Sequence, residues 1–123
     1  LSKEQDMVQL AAQACDEKRG EDIVALDMKD VSLVADYFLI CHGNSERQVQ
    51  AIAKGIKDTL EENGAHVKRL EGYEQARWVL VDTGDVVCHV FHKDDRTYYN
   101  LERLWGDADH VHLNLDRNDT YGI

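Results

Sequence analysis

The chain has no proline among its 123 residues. That removes the strongest breaker of helices and sheet ladders, and with it any stiff proline-rich linker. One continuous domain is therefore expected. Cysteine is scarce and odd in number, at Cys15, Cys41 and Cys88, with no C-x-x-C pair. A disulfide framework is excluded, and buried, reduced, unreactive thiols in a cytosolic protein are the expectation. No apolar run approaches the length of a membrane span, and no secretory leader is legible. Positive charge is also short: 14 Lys and Arg against 24 Asp and Glu leave a net charge of −10. Direct nucleic-acid binding calls for a basic stripe that displaces counterions from phosphates. Here Lys54/Lys57 and Lys68/Arg69 are interleaved with acids. Such a surface repels polyphosphate and attracts basic partners.

What is present is apolar patterning. Apolar residues make up 43% of the chain, enough at this length to build a core without metal or disulfide. The hairpin signal is the clearest. Arg77–Asp82 and Asp85–His92 alternate with period two around Thr83-Gly84. Trp78, Leu80 and Asp82 share one face of the first run, and Val79 and Val81 share the other. In the second run Val87, His89 and Phe91 oppose Val86, Cys88, Val90 and His92. Apolar residues on both faces predict a hairpin covered on both sides, at least in part. Threonine resists positive φ, so a type II turn or a bulged loop with Gly84 at the positive-φ position is expected.

Upstream, Ser2-x-x-Gln5 has the form of a capping box before a helix over Lys3–Lys18, stopped by Gly20. Asp22–Met28 and Ala35–His42 read as strands, the second nearly all apolar and so interior. Lys29–Val34 is too short for a crossover helix, so the two strands are expected to be antiparallel neighbours or to be linked by a small excursion. Ser45-x-x-Gln48 opens a second helix, with Val49, Ile52, Ala53, Ile56 and Leu60 on one face and Asn63-Gly64 at its end. His66–Glu71 is a short edge strand. Helical spacing returns at Tyr98, Leu101, Leu104 and Trp105, and residues 109–123 form either an appended edge strand or a loose tail. The order α, β, β, α, β, β, β, α specifies an α/β fold, a single-domain mixed sheet with helices packed on it.

Catalytic signals are poor. Gly43-Asn44-Ser45 could hold a phosphate at a helix start, but no P-loop lysine follows and a helix N-cap accounts for the same residues. His89 and His92 fall on opposite strand faces, which argues against a zinc site with Asp94 and Asp95. Asp82 and Asp85 flank the turn and read as a turn-stabilising pair before they read as magnesium ligands. No serine or cysteine has a histidine placed to activate it. The remaining signal is a surface rich in rings: tryptophan, tyrosine and arginine dominate interface energetics.

The run WVLVDTGDVVCHVFHKDDRTYYNLERLWGDA, with ADYFLICHGNSERQVQAIA upstream, resembles the ribosomal silencing factor family, also called the Iojap family. The resemblance covers roughly Met7 to Ala108 and assigns a domain to residues 1–108, with 109–123 outside it. It implies a nucleotidyltransferase-like sandwich that lacks the catalytic carboxylate set, and His66–Glu71 here indeed has no Asp-x-Asp pair. It further implies a cytoplasmic translational repressor, not an enzyme, with neither cofactor nor metal. Its partner would be the large ribosomal subunit, through ribosomal protein number fourteen, and docking there would block the small subunit from joining. By motif match the contact residues are Trp78, Asp82, His89, Asp94, Tyr98, Tyr99, Glu102 and Trp105, with Arg96 holding the loop. The rivals are a small metal-dependent nucleotidyltransferase or hydrolase using Asp82, Asp85 and His89, and a homodimer that spends the ring-rich stripe on itself.

Overall fold

The computed structural model describes residues 3–99 and 106–115, without the side chains of 97–99. Its elements are α1 (Lys3–Glu17), β1 (Glu21–Asp27), β2 (Tyr37–Gly43), α2 (Glu46–Glu62), β3 (Arg69–Glu71), β4 (Trp78–Asp82), β5 (Val86–His92), α3 (Lys93–Tyr99) and β6 (Asp109–Val111). The strands form one sheet in the order β3-β4-β5-β2-β1-β6. β2 and β5 run parallel in its middle, and every other pairing is antiparallel. The mixed α/β reading and the antiparallel β1–β2 pair are as the sequence predicts.

Alternation sorts the strand residues into two layers. Ala25, Leu39, Cys41, Val79, Val81, Cys88 and Val90 pack with Val8, Ala11, Cys15, Val49, Ile52, Ile56 and Leu60, so α1 and α2 cover one face together. Leu26, Phe38, Ile40, Val87 and Phe91 form a second cluster on the opposite face, with Met28, Ala35 and Ala108. β2 and β5 are buried along their whole length. All three cysteines are buried thiols outside any disulfide, and burial pushes the Cys88 thiol far above its ordinary range. Among the described residues no helix is long and apolar enough to cross a membrane.

Local chemistry explains the boundaries. Ser45 caps α2 by accepting the Gln48 N–H at 3.1 Å, and Asn63 follows its last turn. Gln48 closes the reciprocal bond one residue earlier than a standard box, accepting from the Asn44 N–H at 2.7 Å. The box expected at Ser2 lies outside the described residues. The edge strand is shorter than predicted, Arg69–Glu71 in place of His66–Glu71, because Ala65 and Val67 turn in against the helix-side core. The hairpin turn differs too. Thr83 donates its N–H to the Val86 carbonyl at 3.0 Å, leaving Gly84 and Asp85 as a two-residue loop. Gly84 takes φ +96° at the first central position, as a type II′ turn requires, and not at the second as type II would. That geometry matches the right-handed twist of the strands it joins. At the other sheet edge, β6 pairs with β1 through Ala25↔Val111, Leu26↔His110 and Asp27↔Asp109.

Gly72 holds the entry to β4. It sits at φ +77°, and a Cβ there would run into the Trp78 carbonyl. Gly72→Ala should lower unfolding stability by about 2 kcal/mol or more, the left-handed conformation and the displaced strand both contributing. Urea denaturation measures this, and a loss below half of that value would show that the loop relaxes without disturbing Trp78.

Candidate functional site: a ring-lined sheet face

β4 and β5 build the site by register. Trp78 pairs with Phe91, Leu80 with His89 and Asp82 with Val87, so these six side chains lie together on the face away from α1 and α2. The parallel β2–β5 register sets Phe38 beside Val87 and Ile40 beside His89 on the same face. Trp78 and Leu80 are half-buried, whereas Phe91 and His89 beneath them are buried. The Trp78 ring stacks on Phe91 with centroids 5.2 Å apart, and Phe38 meets His89 edge-on at 4.6 Å. The Trp78 indole N–H donates to His89 Nδ1 at 3.1 Å.

The residues expected from the motif are not all placed alike. Trp78 and His89 are joined directly. Asp82 lies at the far end of β4, four residues from Trp78 and so on the order of 13 Å away. Its carboxylate is nearly buried and engaged: Arg69 Nε donates at 2.9 Å, Arg69 Nη2 lies at 2.8 Å, and the Gly84 N–H donates at 2.7 Å. Asp94 is exposed in the first turn of α3, its N–H donating to His92 Nδ1 at 3.2 Å. Tyr98 and Tyr99 belong to α3, but their side chains lie outside the description, as do Glu102 and Trp105 altogether. Leu80 was absent from the motif assignment although its parity with Trp78 marks it. Leu33 and Val34, fully or mostly exposed in the β1–β2 connection, carried no sequence signal.

α3 is fastened to the end of the sheet. Arg96 Nη1 reaches His42 Nδ1 at 2.9 Å and the Glu21 carbonyl at 3.3 Å, while His42 Nε2 lies 3.3 Å from the Glu21 carboxylate. Arg77 sits 3.5 Å from Glu46 and 3.9 Å from Asp95. Arg96 thus holds the segment in place, as expected of it.

The enzyme rival needs Asp82, Asp85 and His89 to converge. Instead the Asp82 carboxylate faces Arg69, and His89 Nδ1 is taken by Trp78. Among the described residues no three His, Cys, Asp or Glu side chains are grouped to hold a metal ion. The fold and this face define a class: a small mixed-sheet α/β domain clothed by two helices on one side and lined with rings on the other.

A family model described as "Ribosomal silencing factor during starvation" matches residues 2–121, which extends past Ala108 into the C-terminal segment. The chain is 64% identical over 115 residues to the ribosomal silencing factor RsfS of Bacillus subtilis, covering 94% of this chain and 98% of that one. It is 66% identical over 109 residues to the protein of the same name from Halalkalibacterium halodurans, covering 89% and 93%. A crystal structure of a Chromobacterium violaceum protein superposes with a TM-score of 0.83 at 38% identity, covering 85% of this chain and 88% of that one. The chain belongs to the ribosomal silencing factor family.

Burial lowers the His89 imidazole to about 4, against a smaller opposing pull from the Asp82 carboxylate. The unfolded chain takes up that proton near 6.5, so it binds more protons than the folded chain between the two values. Stability is therefore lost as pH falls through this window, by roughly 2–3 kcal/mol between neutral pH and about pH 4.5. His89→Phe should lack this share of the pH dependence in urea titrations at the two pH values. An unchanged dependence would assign the effect to other groups.

Proposed function

We propose that the protein silences ribosomes in the cytoplasm by docking on the large subunit, at ribosomal protein number fourteen, where it stands in the way of the small subunit. The observation that carries this reading is the half-buried pair Trp78 and Leu80 on the sheet face that α1 and α2 leave to other contacts. Aromatic anchors in such a setting supply most of the energy of an interface. Arg77, next to Trp78 at the entry to β4, has Glu46 at 3.5 Å and Asp95 at 3.9 Å, in a chain of net charge −10. A ribosomal protein presents a basic surface, so attraction raises the association rate and makes it sensitive to salt. Tyr98, Tyr99, Glu102 and Trp105 enter the contact by motif, and Asp82 and His89 support it from within the sheet. An interface of about 1,600 Å² in total suffices, because a steric block has only to occupy space the small subunit needs.

Purified subunits test the reading. Stoichiometric protein should keep large and small subunits apart in sedimentation, and unchanged joining would refute it. Trp78→Ala should weaken binding to isolated large subunits by roughly 30-fold, the loss of one anchor worth about 2 kcal/mol. Lys57→Ala, on the exposed side of α2 and paired with Glu61, should change binding less than about twofold. Equal effects of the two substitutions in folded protein would move the contact elsewhere.

A further inference from the structure

His89 stands where an apolar side chain would fit with less strain on the core. Its neighbours on the sheet face are Phe38, Ile40, Leu80 and Phe91. The residue is 5% exposed, and Nε2 has no hydrogen-bond partner among the described residues. A buried polar atom without a partner opposes folding. An imidazole kept at such a position is therefore expected to act through its other nitrogen. That nitrogen, Nδ1, accepts the Trp78 indole N–H. An indole N–H can only donate, so the bond holds the imidazole neutral with its proton on Nε2.

The bond does something the ring stack cannot. Trp78 on Phe91 stays stacked whichever way the indole is turned over, because the torsion that turns it has broad, roughly twofold wells. A hydrogen bond to a fixed acceptor selects one of the two orientations. A ring ordered before contact loses less rotamer freedom on binding, which strengthens a docking surface without adding a contact. We propose that His89 is a positioning residue: from beneath the surface it sets the orientation of the Trp78 indole for docking and does not itself touch the partner. This rests on the reading of the Trp78 face as the contact with the large subunit.

Binding of Trp78→Ala, Trp78→Phe, His89→Phe, His89→Gln and the Trp78→Phe/His89→Phe double variant to purified large subunits tests it, beside the Trp78 indole N–H resonance of the free protein. His89→Phe keeps a ring in place but removes the acceptor. It should shift the indole resonance, speed its solvent exchange and weaken docking about tenfold, the worth of one hydrogen bond that orders an anchor. His89→Gln returns an acceptor and should recover most of the affinity, which a purely structural role of the ring would not. Trp78→Phe keeps the stack and removes the donor, and the double variant should then bind no more weakly than Trp78→Phe alone. Wild-type docking by folded His89→Phe, or losses that add in full in the double variant, would overturn the inference. Should His89→Phe fail to fold, Trp78→Phe decides: wild-type docking by that variant overturns the inference as well. Wild-type docking by Trp78→Ala sinks the docking face itself, whereas its loss beside an unaffected His89→Phe sinks only the positioning role.

Discussion

The parallel pairing of β2 with β5, seven residues in unbroken register from Tyr37↔Val86 to Gly43↔His92, is the constraint from which the rest follows. Two strands buried at every position need partners for their backbone groups, and they pair with each other and with β1 and β4, the β1 pairing interrupted between Glu21 and Val24. Side-chain parity is then fixed across the whole sheet, because a slip of one residue would exchange the two faces. Cys88 and Val90 must meet α2, and His89 and Phe91 must meet the opposite face. The ring-lined surface is thus a consequence of the same register that builds the core.

Much of this was legible in the sequence because period two and period 3.6 are local signals. The hairpin, the interior character of β2, the capped α2 and the mixed sheet all follow from spacing within one or two elements. What was not legible depends on partners far along the chain. Asp82 joins the contact group by motif match, but nothing near it in sequence foretells Arg69, which reaches it only once β3 pairs in the register Arg69↔Asp82. His89 likewise reads as a surface histidine in an alternating strand. Its burial comes from the neighbouring Phe38 of β2 and the overlying Trp78 of β4, both set by long-range register. The turn type was misread for a different reason: Thr83-Gly84 looked like the loop, whereas Thr83 closes the ladder and Gly84-Asp85 make the turn.

The polar end of the sheet shows how α3 is aimed. Arg96 of that short helix crosses to β1 and β2, where it meets a histidine acceptor and a backbone carbonyl. A seven-residue helix has little stability of its own. Its direction is set by this anchor and by its start on β5, where Lys93 directly follows His92.

The same end of the sheet also bears on the catalytic alternative. Gly43-Asn44-Ser45 precedes a helix of 17 residues, the setting in which exposed backbone N–H groups bind phosphate. Here the chain fills that setting with its own atoms. Ser45 Oγ takes the Gln48 N–H, Gln48 Oε1 takes the Asn44 N–H, and Gln48 Nε2 donates onward to the carbonyls of Lys18 and Arg19 after α1. A phosphate would have to displace a glutamine that ties two helices together, and it would do so beside Glu21 and Glu46, whose charge opposes it. The turn that could have held a substrate instead locks α2 to the end of α1.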